Sequence, residues 1–240
     1  MRWPEKQLTE RVFLERLHRF GAQVRVNGRK EYCHVPNSGR LRELLYPGAG
    51  IILVDHGSPG SRNRKTRFSV RLARHRGKWV CIEANIAPLL LKEAWEKNQI
   101  PELKAYDQLK AEVPLNAHTR FDFKGTNRAT GQTAWVEVKC ATLVEKDGTA
   151  RFPDAPSERA SKHLRELMEL AQKPKTQALV FFVVQNPHAS AVRPKEDTDP
   201  LFAETLRQAS HKNVYLGAYL AKINLKGAAI LRPLKVRLGK

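Results

Sequence analysis

From Phe20 to Ala84 the chain is cut into short runs of alternating polar and apolar residues, separated by residues that favour turns. Phe20–Val26 alternates with Ala22, Val24 and Val26 on one side. Asn27-Gly28 follows, and Arg29–Val35 alternates again with Tyr32 and His34. Asn-Gly between two such runs is a strong two-residue hairpin signal, because both turn positions tolerate a positive φ. Pro36–Gly39 reads as a turn cluster and Ile51–Val54 as a short apolar strand. His56–Lys65 reads as a loop, and Thr66–His75 with Lys78–Ala84 as a second hairpin around Arg76-Gly77. Short strands at roughly ten-residue spacing suggest a small barrel, and an OB-like one is compatible with that pattern.

At Asn85 the period changes. Ile86, Leu89, Leu90 and Ala94 recur at helical spacing, with Asn85 placed to cap and Pro88 in the first turn. Three strand candidates follow, Leu109–Leu115, Arg120–Lys124 and Thr133–Cys140. Ser157–Gln172 reads as a helix with Leu164, Leu167, Met168 and Ala171 on one face, ending before Pro174. Thr176–Gln185 is a buried strand, Pro200–Ser210 a helix, and Val214–Leu220 and Ala228–Leu231 are strands. The fold class is therefore mixed α/β: a basic β-barrel over residues 1–84 and an α/β domain over 85–240.

Composition narrows the partner. Lys and Arg number 43 against 24 Asp and Glu, a net charge of +19, while 41% of the 240 residues are hydrophobic, too many for a disordered polycation. Charge of this sign and size suggests a nucleic acid. The first 84 residues hold 18 Lys and Arg against 7 acids. Within them, residues 61–78 carry Arg62, Arg64, Lys65, Arg67, Arg71, Arg74, Arg76 and Lys78 and no acid. Alternation over Thr66–His75 sets Arg67, Ser69, Arg71 and Ala73 on one face, a candidate stripe for tracking phosphates. Phe68 and Trp79 read as core, with base stacking as the alternative. Cys33, Cys81 and Cys140 are too few and too widely spaced for a disulfide framework or a zinc site. No run is long enough for a membrane helix, and no apolar segment follows the N-terminus, so the expected location is the cytoplasm.

The chemistry lies in Arg120-Phe121-Asp122-Phe123 and Trp135-Val136-Glu137-Val138-Lys139. Alternate strand residues share a face, so Phe121 and Phe123 point one way and Asp122 the other, while Glu137 and Lys139 share a face. If the joining loop centres near Ala129, Asp122 sits opposite Glu137. Facing carboxylates repel, and a hard divalent cation, Mg²⁺ or Mn²⁺, held by Asp122 and Glu137 would resolve the repulsion and suit a phosphate substrate. Lys139 would then orient a water or stabilise phosphoryl charge. The plain alternative is a surface ion pair of Glu137 with Lys139. Glu93 is a second acidic candidate on the first helix, and Glu158 with Lys162 a helical ion pair.

An upstream Asp and E-x-K in this element order resemble the PD-(D/E)XK nuclease superfamily. More closely, the chain resembles the sugar fermentation stimulation protein (SfsA) family. The similarity is carried by Cys33–Gly39, Glu112–Phe123, Trp135–Leu143, Phe152–Leu167 and Phe181–Gln185. It implies an N-terminal OB-like β-barrel followed by a PD-(D/E)XK nuclease-like α/β domain, DNA binding, and a link to regulation of sugar metabolism genes. It places Asp122, Glu137 and Lys139 on the nuclease core, with Glu112 at an acidic position before it. Asp154, Arg159 and His163 fall in a supporting block. Gln185 either touches the site or caps its strand. The chain departs from the family pattern at Asn116 and Asn186.

Three functions stay open: a metal-dependent nuclease, a non-catalytic DNA-binding regulator on a nuclease-like fold, and an RNA-associated factor. DNA is the expected partner and RNA the alternative, no membrane is expected, and the oligomeric state, a homodimer included, stays open.

Overall fold

In the computed structural model, which describes residues 1–3, 8–57 and 65–239, the Asn27-Gly28 step is the tight turn its sequence demands. Both residues are left-handed, at φ 50° and 80°. Arg76-Gly77 repeats the device at φ 45° and 76°. The first half holds six strands: β1 (Leu8–His18), β2 (Gly21–Val26), β3 (Arg29–His34), β4 (Gly50–Asp55), β5 (Phe68–His75) and β6 (Lys78–Cys81). They run in the order β3-β2-β1-β4-β5-β6, and β3 also pairs with β5 in parallel through Cys33↔Phe68. That pairing closes β1-β2-β3-β5-β4 on itself around Phe13, Val24, Leu53 and Val70.

Strand β1 was not foreseen from the sequence. Only Phe13 along it is fully buried, and irregularities at Phe13/Glu15 and Arg16/His18 break its alternation. A bulge in β5 between Val70 and Leu72 likewise breaks the face assigned to Arg67, Ser69, Arg71 and Ala73. Ser69 and Ala73 are buried.

The second half runs α1 (Ile86–Glu96), a 3-10 turn at Pro101–Leu103, β7 (Gln108–Pro114), β8 (Arg120–Thr126), β9 (Thr133–Ala141) and β10 (Thr149–Phe152). It continues with α2 (Glu158–Ala171), β11 (Thr176–Val184), β12 (Ala191–Pro194), α3 (Pro200–His211), β13 (Val214–Asn224), β14 (Gly227–Pro233) and β15 (Lys235–Val236). One mixed six-stranded sheet, β14-β13-β11-β9-β8-β7, carries α1 on one face and α2 with α3 on the other. The strands β10, β12 and β15 form a small parallel sheet beside it.

Asn85 does not cap α1 with its side chain, because its backbone is already helical, at φ −66° and ψ −11°. Leu89 is 51% exposed. Ser157 does cap α2, accepting from the Ala160 N–H. The Glu158–Lys162 pair does not form; Lys162 lies instead 3.9 Å from Glu166.

The two halves share a core. Ile52, Leu72 and Cys81 of the barrel pack in one cluster with Leu90 and Leu91 of α1 and Val136 of β9. Hydrogen bonds stitch the seam: Cys81 N–H to the Gln185 carbonyl, and Leu41 N–H to Asp154 Oδ2. Among the described residues no helix is long and apolar enough to cross a membrane.

Candidate active site in the interdomain cleft

The antiparallel register builds the site. Strands β7 and β8 pair Ala111↔Phe123 and Val113↔Phe121, which sets Glu112 beside Asp122. The β8–β9 ladder ends at Phe123↔Val136, and one step on sets Asp122 beside Glu137. Beyond that step the regular ladder gives way to a side chain: the Val138 N–H donates to Asp122 Oδ2 at 2.6 Å.

This break changes the facing of β8. Phe121 and Phe123 do not share a core. Phe123 packs with α1, whereas Phe121 packs on the α2 side, edge-on to Trp135 and His163 at centroid distances of 5.7 and 5.3 Å. Glu112 has a left-handed φ of 54° in the middle of β7. A non-glycine residue there is strained, and such strain clusters at functional sites. Its carboxylate is 66% exposed and 3.8 Å from Arg120.

Glu137 is the buried member, with its side chain 8% exposed. Its Oε1 accepts from Lys139 Nζ at 2.6 Å and from His163 Nδ1 at 2.8 Å. Arg159 Nε donates to His163 Nε2 at 3.3 Å, so the hydrogen facing Glu137 is on Nδ1. Burial alone would lift the Glu137 carboxyl, but Lys139 and His163 hold it below the ordinary range. Asp122 lacks such partners. Burial first, and the Glu137 charge second, push its carboxyl up to about 7, against the opposing pull of the Val138 N–H and Lys139. Adjacent carboxyls whose acidities are driven apart mark a site able to hold charge and proton separately. Among the described residues, Asp122 Oδ1 and Glu137 Oε2 make no hydrogen bond.

Both carboxyls open into a cleft of about 620 Å³ between the barrel and the α/β sheet. Arg19, Asn37 and Ser38 form its barrel wall, and Asp154 and Arg159 its α/β wall. A second cleft of about 500 Å³ meets the first at Glu112 and Arg159 and is flanked by Arg120 and Lys162. Glu112, Asp122, Glu137, Lys139, Arg159 and His163 are thus brought together. Asp154 stands at the seam, where burial raises its carboxyl while the Leu41 N–H holds it at 2.7 Å.

Gln185 is buried away from the carboxylates. Its Nε2 donates to the Cys81 and Glu83 carbonyls and to Cys140 Sγ, so it joins barrel to sheet. Glu93 is committed to Lys97 and the Met1 amine, away from the site.

The basic stripe is largely matched by acids. Arg67 grips Asp55 at 2.8 Å, Arg71 grips Glu83 at 2.9 Å while lying over Trp3, and Arg74 lies 3.8 Å from Glu10 and over Trp79. Lys65 and Lys78 are exposed, and Arg62 and Arg64 lie outside the described residues. Phe68 is buried, and Trp79 is partly buried against the core.

Two family models cover the chain nearly end to end. Residues 14–82 match the SfsA N-terminal OB domain, and residues 85–227 match the sugar fermentation stimulation protein RE domain. The chain belongs to the sugar fermentation stimulation protein family. A homolog from Acetivibrio thermocellus is 39% identical over 92% of this chain and 91% of its own length. One from Syntrophobacter fumaroxidans is 38% identical over 98% and 86%. Among solved structures, Pyrococcus furiosus SfsA, described as a complex with Ca²⁺, matches with a TM-score of 0.87 at 28% identity, covering 99% of this chain and 98% of that one. The family membership and the N-terminal OB domain expected from the sequence are thereby established.

Proposed function

We propose that this protein binds nucleic acid across the interdomain cleft and that Asp122, Glu137 and Lys139 form a divalent-metal phosphodiesterase site on a nuclease-like domain. The observation that carries this is the pair of neighbouring carboxyls in the cleft wall, with Asp122 Oδ1 and Glu137 Oε2 uncommitted among the described residues. Among the described residues no three His, Cys, Asp or Glu side chains gather to hold an ion by themselves. Two carboxylates still fit Mg²⁺ or Mn²⁺, which keep several waters and take further oxygens from a phosphate substrate. The bound ion would neutralise the two carboxylates and polarise a phosphoryl oxygen. The Ca²⁺ held by the Pyrococcus furiosus relative supports a hard-cation site in the family.

The chain's own groups have separable tasks. His163 and Lys139 fix Glu137 Oε1, which would leave Oε2 to hold an ion. Lys139 Nζ, held 2.6 Å from Glu137 Oε1, would orient a water or stabilise charge developing on the phosphoryl group. Arg159 carries its charge at the junction of the two clefts, where a phosphate would pass.

The test is cleavage of labelled DNA and RNA with Mg²⁺ or Mn²⁺, comparing the native protein with Asp122→Ala. Loss in the variant is expected; activity that survives the substitution belongs to a contaminant and rejects the assignment. A non-catalytic DNA-binding regulator of sugar metabolism genes is the second reading. It is favoured by the Lys139–Glu137–His163 pairing, which already neutralises Glu137 without an ion.

A further inference from the structure

Four ring residues of the barrel lie on either side of the chain segment that carries Arg19, a residue of the cleft wall. His18 and Phe20 stand at the β1–β2 turn, and Tyr32 and His34 lie with Lys30 on the outward face of β3. The His18 and Tyr32 rings lie 6.2 Å apart with planes 29° from parallel, and Phe20 and His34 lie 6.3 Å apart at 28°. Polar contacts lock both pairs: His18 Nε2 with Tyr32 Oη at 3.1 Å, and His34 Nδ1 with the Phe20 carbonyl at 3.0 Å. Between the pairs runs Gly21, where a Cβ would collide with both His18 and Tyr32. Phe20 and Tyr32 are nonetheless solvent-facing, 43% and 44% exposed, while His34 is half-buried.

Cations adjoin the rings on both sides. Along the outward face of β2–β3, Arg25 sits directly opposite Lys30, next to the Tyr32↔Gln23 pair. Like charges so placed are destabilising unless an anion lies over them. Among the described residues no carboxylate comes within ion-pair distance of Arg19, Arg25, Arg29 or Lys30. Arg19, with its guanidinium 5.6 Å above the Phe20 ring, is also a wall of the cleft that holds Asp122 and Glu137.

We propose that His18, Phe20, Tyr32 and His34 form a base-stacking platform that delivers an unpaired nucleic-acid strand over Arg19 into the cleft. The proposal rests on reading that cleft as a nucleic-acid site and gives its substrate a form: single-stranded, or duplex with a single-stranded tail. Exposed ring faces bind bases regardless of sequence, and flanking cations hold the backbone. A closed duplex keeps its base faces inside the stack and offers this surface only phosphates.

The experiment is fluorescence anisotropy with labelled oligothymidylate and with blunt duplex of equal length, using the native protein, the Phe20→Ala/Tyr32→Ala double variant and Tyr32→Phe. The double variant is expected to bind oligothymidylate about tenfold more weakly or worse, to bind duplex almost unchanged, and to unfold at the native temperature. Tyr32→Phe keeps the ring and the affinity. Equal losses on both ligands, or no loss on either, overturn the platform. So does a light-scattering mass that is twice the monomer and is halved by the double variant, which would make the patch a self-association surface. Metal-dependent hydrolysis of bis(p-nitrophenyl) phosphate, too small to reach the platform, separates the two claims. It is lost in Asp122→Ala and kept in the double variant if the cleft reading holds, whatever the anisotropy shows.

Discussion

Replacing Asp122 by Asn should make the protein more stable, and by an amount that depends on pH. The carboxyl is raised from its ordinary value of 3.8 to about 7, by burial first and by Glu137 second. An acid whose folded pKa exceeds its unfolded one takes up a proton on folding. Below about pH 4 both states are protonated and the group costs nothing. As pH climbs towards 7 the folded state must either hold the proton against solution or bury a charge beside Glu137. The cost grows by about 1.4 kcal/mol per pH unit and levels off above the folded pKa at about 4 kcal/mol. Asn keeps the acceptor for the Val138 N–H and carries no charge. Urea unfolding in a chelator, for both proteins from about pH 4 to about pH 8, should give curves that coincide at the acid end and diverge steadily above it. A difference that is flat in pH refutes the account. Mg²⁺ supplies a second check. An ion bound by Asp122 and Glu137 stabilises only the folded native protein, so it should close the gap from the native side and leave the Asn variant unmoved.

Other substitutions separate positioning from packing. His163→Ala removes the Nδ1 donor from buried Glu137 and should cost about 1–3 kcal/mol in thermal or urea unfolding, together with most metal-dependent activity; His163→Gln, which can still donate, should recover more of the activity than of the stability. Glu112→Gly relieves a left-handed φ and should leave stability equal or up to about 1 kcal/mol higher, while nuclease assays fall if the carboxylate serves the site. Glu83→Ala strands the nearly buried Arg71 guanidinium and should cost about 3 kcal/mol by urea unfolding, with no change in the salt dependence of nucleic-acid binding, since Arg71 is committed inward. Gly21→Ala pushes aside only the tips of His18 and Tyr32, so calorimetry should show little change while anisotropy shows weaker binding of oligothymidylate.

What could be read from the sequence was whatever a local rule decides. Asn27-Gly28 and Arg76-Gly77 declared their hairpins because two successive left-handed residues leave the chain few alternatives. The pairing of Asp122 with Glu137 was legible because an antiparallel hairpin has one centre, and the loop between the strands located it. Ser157 announced α2 because its hydroxyl is the acceptor that a helix start needs. Failures came where a distant contact overrules alternation. Phe121 changes core because the Asp122 carboxylate takes a place in the ladder, which no periodicity records. Arg71 looked free because Glu83, twelve positions on, lies just beyond the end of the next hairpin strand. Strand β1 was hidden by its bulges and charges, and β10, β12 and β15 by brevity. The platform at Phe20 and Tyr32 was invisible for a related reason: its ring pairs exist only after three strands have found their register.

The seam between the halves has a consequence for how the molecule comes apart. The two family models meet between residues 82 and 85, yet Ile52 and Leu72 of the barrel bury themselves against α1, and Gln185 ties a β6 carbonyl to Cys140, the neighbour of Lys139. A boundary in ancestry is therefore not a boundary in cooperativity. Heating should melt barrel and sheet in a single calorimetric transition, and chains cut near residue 84 should aggregate as separate pieces and recover solubility when expressed together.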